Sequence, residues 1–378
     1  MKIIRPFILI LFVLLIGCAN ENINFVDKKS EDFKIVENTE RGLYQKSLPI
    51  NYNFGDYGRV TTEKGFALEF SYRIGADKYD KNKVFRYPGS FELDSKGNIY
   101  IVDTGNHRVQ KFSRGGKHLL TIGGVEGTES GQFNMPTDIA VDKEDNIYIT
   151  DHENNRVQVF TESGEFLKVL NFGNKKPAFI DVDSEANLYI HHMGNTDALI
   201  WKYNNDGELM ITFGKPFDSK EIVGAEISSF GQAEITIDKK DNVYVCHKTQ
   251  FVIDKYDKNG IHLMRIKKEP RAWIKERIIE TRNYNIDTGS NSWGQFIFDI
   301  SISPEGYLWA ANVEGIDIYS PEGEYLYFLR MNARGGTEFV PNDIIVVSEK
   351  QVYFLNESTN TMTIFYIARK NIPYKEQN

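Results

Sequence analysis

One short unit repeats along most of the chain, and this repetition limits the folds that the chain can adopt. Its clearest copy covers residues 136–172 and reads PTDIAVDKEDNIYITDHENNRVQVFTESGEFLKVLNF. Four short β-rich runs with turn residues between them are typical of a four-stranded antiparallel meander. One such meander cannot bury both of its faces alone, so it must pack against neighbours of its own kind. A second close copy covers residues 88–123.

Six copies can be aligned on an anchor residue that stands six positions before the aromatic residue of the second strand. The anchor and aromatic pairs are Asp94/Tyr100, Asp142/Tyr148, Asp183/Tyr189, Asp238/Tyr244, Ser303/Trp309 and Val347/Tyr353. Successive anchors are 41 to 65 residues apart, in or above the range of roughly 40–50 residues for propeller blades. The sequence therefore predicts an all-β fold, a six-bladed β-propeller of four-stranded antiparallel blades.

The first two copies also share a more specific motif. Its residues are Asp94, Gly97, Asn98, Tyr100, Asp103, Asn106 and Arg108 in the first copy, and Asp142, Asn146, Tyr148, Asn155 and Arg156 in the second. These residues resemble the NHL-repeat family of β-propellers. Later copies keep only the anchor core or the hydrophobic pattern, so the resemblance covers about residues 60–370 with decreasing detail. It implies the fold and says little about function, because propellers host unrelated activities.

Two segments outside the six copies complete the predicted fold. Phe66–Ile74 looks like the fourth strand of a copy but precedes every first strand, whereas the last copy ends at Thr363–Ala368 after its third strand. We therefore expect the N-terminal strand to complete the last blade, which closes the ring and removes an exposed edge. Residues 269–284 have helical spacing after Pro270 and predict one short helical insertion. This helix either caps the rim or serves as a lid or partner surface.

The N-terminus has the pattern of an export signal. Lys2 and Arg5 precede the apolar run Phe7–Ile16, which is too short for a membrane span and suits a secretion signal. The run ends in Leu15-Ile16-Gly17-Cys18, which resembles a bacterial lipobox. The resemblance implies cleavage before Cys18 and attachment of a diacylglycerol to its sulfur, which would anchor the protein in the cell envelope. Ala19 after the cysteine gives no obvious inner-membrane retention signal, so the outer membrane is favoured if the cell is Gram-negative. An ordinary signal with a chance cysteine is the alternative.

The predicted organisation follows from these features. It comprises a signal peptide (1–17), a lipidated Cys18 with a flexible tether (18–50), the propeller (51–372) and a C-terminal tail (373–378). The tether prediction rests on the polar composition of residues 19–50 and their lack of periodicity. The chain has a formal net charge of −8 and no basic cluster, which argues against nucleic-acid binding. We expect a monomer.

Two sets of equivalent positions are candidates for a site, because the loops entering the first strand and leaving the second lie on one face of a propeller. Four residues before the anchors stand Ser90, Asp138, Phe179, Glu234, Asp299 and Asp343, here called the inner ring. Three residues after the aromatics stand Asp103, Asp151, His192, His247, Asn312 and Asn356, here called the outer ring. We expect the acids, amides and histidines of both rings to bind a ligand around one channel mouth.

The chemistry of the two rings leaves several interpretations open. Gathered carboxylates repel one another unless a cation or a partner compensates them, so a cationic or polyhydroxylated ligand is one candidate. Imidazole with carboxylate also suits a divalent metal such as Zn²⁺, which makes His192, His247, Glu234 and Asp299 candidate metal ligands. In the structural alternative, Asp103 and Asp151 cap turns and the other acids are solvated at the rim.

The favoured function is a lipid-anchored module that binds a protein, peptide or glycan through its channel face or rim. The alternative is a divalent-metal-dependent lyase or lactone/ester hydrolase with its site at the central channel, because the resemblance extends to propeller lyases and lactone hydrolases. The lyases hold zinc with three channel histidines, and only His192 and His247 match. A calcium-like set of Glu234, Asp299, Asn312 and Asp343 fits better. His192 or His247 is then the candidate general base.

Overall fold

The computed structural model describes residues 25–26, 29–38, 59–61, 66–75, 82, 84–194, 197–216, 232–268, 296–313, 315–329, 343–348, 351–356 and 360–369. Within these ranges the chain forms six antiparallel blades around a central channel, which confirms the predicted six-bladed β-propeller. The helical insertion predicted at 269–284 lies outside the described residues. No helix within the described ranges has the length and apolar character needed to span a membrane.

The strands follow the chain in order around the ring. Four N-terminal strands come first: β1 (Phe25–Val26), β2 (Lys29–Asn38), β3 (Arg59–Thr61) and β4 (Phe66–Ile74). Blade 1 contains β5 (Pro88–Leu93), β6 (Ile99–Asp103), β7 (Arg108–Phe112) and β8 (His118–Gly123). Blade 2 contains β9 (Pro136–Val141), β10 (Ile147–Asp151), β11 (Arg156–Phe160) and β12 (Phe166–Asn171). Blade 3 contains β13 (Lys176–Val182), β14 (Leu188–Met193), β15 (Ile200–Tyr203) and β16 (Leu209–Phe213). Blade 4 contains β17 (Ala233–Ile237), β18 (Val243–His247), β19 (Val252–Tyr256) and β20 (His262–Lys268). Blade 5 contains β21 (Ile297–Ile302), β22 (Leu308–Asn312), β23 (Gly315–Tyr319) and β24 (Tyr325–Leu329). Blade 6 contains β25 (Asp343–Ser348), β26 (Gln351–Asn356) and β27 (Thr361–Arg369).

The anchor aspartates fix the hairpin between the first two strands of blades 1 to 4. In blade 1, Asp94 Oδ1 accepts hydrogen bonds from the backbone N–H of Lys96 at 3.0 Å and of Asn98 at 2.8 Å. The same bonds recur at Asp142, Asp183 and Asp238. An aspartate that accepts from the backbone two residues further on stabilises a turn. The most regular part of the repeat therefore specifies local structure.

Neighbouring blades are joined by apolar packing and by the second-strand tyrosines. Six buried clusters form the core, one between each pair of adjacent blades. Tyr100, Tyr148 and Tyr189 are almost completely buried, and their hydroxyl groups reach the outer turns of the following blades. A buried aromatic ring with a bonded polar tip adds apolar area and fixes the blade-to-blade distance.

The ring closes as the sequence predicts. β4 pairs antiparallel with β27 from Ile74↔Met362 to Phe66↔Arg369, and β3 adds a fifth strand outside β4. Blade 6 therefore combines strands from both ends of the described chain, in the order β25-β26-β27-β4-β3.

The segment predicted as a flexible tether also contains strands, which the sequence interpretation did not anticipate. β1 pairs parallel with β16, the outermost strand of blade 3, and β2 pairs parallel with β20, the outermost strand of blade 4. The rings of Phe33 and His262 lie 4.5 Å apart between their centroids. Residues 25–26 and 29–38, here called the rim segment, therefore bind to the outer edge of two blades. A flexible tether is the wrong description for them.

Ring closure can be tested at Ile74, which is 2% exposed and packs with Phe85 and Ile364 across the junction. We expect Ile74→Ala to lower the free energy of unfolding by about 2–5 kcal/mol, because it removes buried volume where the two chain ends meet. Leu119→Ala, at a position that is 44% exposed, should change it by less than about 0.5 kcal/mol. Urea unfolding followed by tryptophan fluorescence measures both. Equal effects would contradict a packed junction.

Candidate functional site

A channel with a cavity of about 280 Å³ runs through the centre of the ring and is lined by the innermost strand of every blade. All six residues of the predicted inner ring line this cavity: Ser90, Asp138, Phe179, Glu234, Asp299 and Asp343. The position four residues before each anchor is therefore the channel-facing position, as the repeat alignment predicts.

Two further carboxylates line the channel that the sequence analysis did not single out. Glu92 and Asp181 stand two positions after the inner-ring residues Ser90 and Phe179. Residues two apart on a strand face the same side, so the alternation of β5 and β13 could have identified them. The channel thus receives one carboxylate from each blade: Glu92, Asp138, Asp181, Glu234, Asp299 and Asp343.

Four of these carboxylates bond to the backbone of the following blade. Asp138 accepts from the N–H of Ile180 at 2.7 Å, and Asp181 accepts from the N–H of Ile237 at 2.8 Å. Equivalent bonds join Asp299 to Ile344 at 2.7 Å and Asp343 to Phe91 at 2.9 Å. The innermost strand is the edge of its sheet, and its free N–H groups need acceptors. The four acids supply these acceptors.

The inner-ring side chains also contact one another around the channel. Asp299 and Asp343 lie close enough to influence each other, and repulsion from the Asp343 carboxylate adds to burial in raising the pKa of Asp299. Ser90 bonds to both Asp343 and Asp138. This half of the ring therefore forms a continuous polar chain across blades 5, 6, 1 and 2.

A lysine completes the other half of the ring. Lys248 is 6% exposed, its Nζ lies 2.7 Å from Glu234 Oε2, and it stands 4.2 Å above the ring centroid of Phe179. Lys248 directly follows the outer-ring residue His247, so the alignment by equivalent positions passed over it. It is the only basic residue that lines the described part of the channel.

The carboxyl groups that line the channel have higher pKa values than they would have in water. Burial raises the pKa of Asp138 to about 6 and that of Asp181 to about 7. It raises the pKa of Glu234 to about 8 despite the attraction of Lys248. Glu92 and Asp299 are raised well above their ordinary pKa by burial and by neighbouring carboxylates. Burial would lower the pKa of Lys248, but Glu234 outweighs it and the pKa is raised. A bound cation could replace the protons that compensate this cluster.

The outer ring lies elsewhere, so the expectation that both rings share one channel mouth is not met. None of its members is among the channel-lining residues. Asp103 is fully buried and accepts from Arg108 Nε at 2.7 Å, from Asn106 Nδ2 at 2.9 Å and from the N–H of Arg86 at 2.7 Å. Asp151 has the equivalent bonds in blade 2. These two acids hold their own blades together.

The other outer-ring residues bond to the third strand of their own blade. His192 Nε2 lies 2.9 Å from the Tyr203 hydroxyl, and burial lowers the pKa of His192 to about 3. His247 Nε2 lies 2.9 Å from Asp254 Oδ2. Asn312 Nδ2 donates to Asp317 Oδ2 at 2.8 Å. The Asn356 side chain lies outside the described ones. These contacts point the side chains of His192, His247 and Asn312 into the blades.

The candidate metal ligands are therefore not gathered in one place. Glu234 and Asp299 line the channel, whereas His192 and His247 do not. Within the part of the chain that the structure describes, no group of three His, Cys, Asp or Glu side chains is placed to hold a metal ion. The channel offers carboxylates of raised pKa, one ammonium group and one aromatic face, which is a chemistry for binding positive charge.

Comparison with known proteins supports the repeat and the fold. The NHL repeat family model matches residues 85–112 and 133–160, which span the first three strands of blades 1 and 2. The chain therefore carries NHL repeats in a six-bladed β-propeller. No curated protein matches it in sequence.

Several solved structures share the fold. A catalytically inactive variant of virginiamycin B lyase from Staphylococcus aureus, with quinupristin, matches at 15% identity and a TM-score of 0.52, covering 85% of this chain and 94% of that one. A streptogramin B lyase structure matches at 13% identity and a TM-score of 0.52, and the match covers 85% of this chain and 93% of that one. A structural genomics protein of unknown function from Bacteroides thetaiotaomicron matches at 11% identity and a TM-score of 0.53, and the match covers 75% of this chain and 70% of that one. At these identities the likeness concerns the fold alone.

The raised carboxyl pKa values predict how stability depends on pH. An acid whose folded pKa exceeds its unfolded pKa stabilises the folded state at low pH, and this stabilisation is lost as pH rises to the folded value. For Asp181 this stabilisation is lost between about pH 4 and about pH 7. We expect Asp181→Asn, which mimics the protonated acid, to raise the thermal midpoint more at about pH 8 than at about pH 5. Calorimetry at both pH values checks this. Glu165→Gln on the exposed outer turn is the control, and equal behaviour of the two variants would contradict the prediction.

Proposed function

We propose that the protein is a binding module of the cell envelope whose channel takes a small ligand bearing ammonium or guanidinium groups. The observation that supports this is the convergence of six carboxylates, one from each blade, on one cavity in which Lys248 is the sole basic side chain of the described lining. Buried carboxylates are costly unless protons or cations compensate them. A cationic ligand supplies that compensation.

The dimensions of the cavity restrict the ligand. Ligand pockets are typically about 300–1,000 Å³, and the channel cavity, at about 280 Å³, is slightly smaller than this range. A short polyamine or a single cationic side chain of a peptide fits this size, whereas a folded domain can only contact the mouth.

The proposal predicts pH-dependent binding of polyamines. Because a cation binds best to ionised acids, affinity should rise as pH passes through the raised pKa values of about 6 for Asp138 and about 7 for Asp181. We expect spermidine and putrescine to bind at least about tenfold more tightly at about pH 8 than at about pH 6. Binding should release protons. Isothermal titration calorimetry in two buffers of different ionisation enthalpy measures both quantities.

Two variants separate channel binding from general attraction to an acidic protein. Asp138→Asn preserves shape and should weaken spermidine binding by about tenfold, the effect of a lost charge pair. Glu165→Gln removes the same charge from the exposed rim and should leave binding unchanged. Equal weakening by both variants, or no binding of either polyamine at about pH 8, would exclude the channel as the cation site.

The metal-dependent enzyme is the second candidate, and the site favours it less. Its proposed general bases, His192 and His247, bond to Tyr203 and Asp254 within their blades. Calcium is therefore included in the titrations beside the polyamines. Stoichiometric calcium binding that Asp299→Asn abolishes would favour the metal alternative.

The anchor is a separate part of the proposal. The lipobox-like sequence before Cys18 supports acylation of that cysteine and retention at the envelope membrane, with the outer membrane favoured. The soluble propeller then works at the membrane surface.

Acylation can be tested directly in a bacterial host. We expect the wild-type chain to incorporate radiolabelled palmitate and to sediment with membranes, because a diacylglycerol and a further acyl chain together give stable anchoring. Cys18→Ser should abolish both properties. Palmitate-free wild-type protein in the soluble fraction would support an ordinary signal peptide instead.

A further inference from the structure

The wall of the channel presents its side chains in two layers, of which the inner ring is one. Two positions further along each innermost strand stand the residues that we call the second layer: Glu92, Ala140, Asp181, Thr236, Ser301 and Ile345. All of them except Ala140 line the cavity. Residues two apart on a strand face the same side and lie about 6.4–6.8 Å apart along it. The second layer therefore lies about that far along the channel from the inner ring.

The hydrogen bonds between blades support this division into layers. Asp138, in the inner ring, accepts from the N–H of Ile180, which directly follows the inner-ring residue of blade 3. Asp181, in the second layer, accepts from the N–H of Ile237, which directly follows the second-layer residue of blade 4. The same bond is thus made twice, with both partners two residues further along their strands. Asp181 accordingly lies one layer further along the channel than Asp138.

Acids of both layers meet on the wall formed by blades 1 to 3. Asp138 belongs to the inner ring of blade 2, and the second-layer acids Glu92 and Asp181 stand on the blades at either side of it. Burial raises the pKa of Glu92, and repulsion from Asp181 and Asp138 raises it further, so the three carboxylates lie within electrostatic range. Within the described lining, Lys248 is the only basic side chain, and it pairs with Glu234. The acids on blades 1 to 3 are therefore left for a ligand.

Lys248 shows how the channel holds an alkylammonium group. Its Nζ lies 2.7 Å from Glu234 Oε2 and 4.2 Å from the ring centroid of Phe179, and the residue is only 6% exposed. The side chain of lysine is a butylammonium group. The chain thus places a primary amine on a channel carboxylate, which is the chemistry expected of a free amine bound at the acids of blades 1 to 3.

We propose that the channel binds linear α,ω-diamines end-on, with one ammonium group at Asp138 in the inner ring and the other between Glu92 and Asp181 in the second layer. This inference rests on the proposed cation-binding function of the channel. Each bond of an extended aliphatic chain advances by about 1.25 Å, because bonds of about 1.5 Å follow a zigzag. The nitrogens of putrescine, which is 1,4-diaminobutane, are therefore about 6 Å apart, close to the separation of the layers. Those of 1,3-diaminopropane are about 5 Å apart and those of 1,6-diaminohexane about 9 Å.

A length series of amines tests binding at two layers. Isothermal titration calorimetry on the full-length protein at about pH 8 compares putrescine with 1,3-diaminopropane, 1,6-diaminohexane and butylamine. We expect putrescine to bind at least about threefold more tightly than the other two diamines, because a linker binds best when its length matches the span between the sites. It should bind at least about tenfold more tightly than butylamine, which reaches one layer only.

Glu92→Gln isolates the contribution of the second layer. Glu92 Oε1 accepts from the N–H of Leu93 at 2.7 Å, a bond that the glutamine oxygen can keep. We expect this variant to weaken putrescine binding by about tenfold and butylamine binding by less than about twofold, because the monoamine still has the inner ring. Asp181→Asn is a second variant of the same layer and should act in the same direction. Glu165→Gln, on the exposed outer turn, should change neither affinity.

Failure of this inference is distinguishable from failure of the cation-binding function. If none of the amines binds at about pH 8, both are refuted. If the three diamines bind with equal affinity, or if Glu92→Gln and Asp181→Asn weaken putrescine and butylamine equally, the two-layer arrangement is refuted and cation binding in the channel stands.

Discussion

The ring depends on carboxylates that bond from one inner strand to the next. Each innermost strand is a sheet edge with unpaired N–H groups, and the acids on Asp138, Asp181, Asp299 and Asp343 accept those groups from the following blade. Buried edges without acceptors would cost free energy at every junction. The same acids give the channel its negative charge when they are ionised. Structural support and ligand chemistry are thus supplied by one set of side chains, and a substitution there affects both.

The fold was largely predictable because its signals are local and repeated. The anchor aspartates accept hydrogen bonds from backbone groups within four residues, so the same residue types recur wherever the same turn forms. Closure of blade 6 was predictable because the N-terminal part of the chain has one extra strand, β4, and the last copy of the repeat lacks its fourth strand. The rim segment was not predictable. Its partners on β16 are 187 residues away in the chain, and those on β20 are 230 or more residues away. Parallel addition to an edge also uses backbone groups that leave no side-chain pattern.

The candidate site was half predictable for a comparable reason. Spacing identifies the inner-ring position in every blade, and all six residues line the channel. Glu92 and Asp181 were missed because only one position per strand was considered, although alternation places both on the same face. His192 and His247 were misplaced because spacing along a strand does not reveal which neighbour a side chain bonds to. Their partners, Tyr203 and Asp254, lie on the adjacent strand of the same blade.

Blade 6 draws its strands from residues 59–74 and 343–369, which has a consequence for how the protein is made. Contacts between segments this far apart in sequence form slowly, because a long loop must close before they yield any stabilisation. The last blade, and with it the closed ring, cannot assemble until the C-terminal strands have been synthesised. During synthesis, the edge strand at residues 66–74 therefore has no partner until residues 361–369 have been made, and the ring stays open for most of that time.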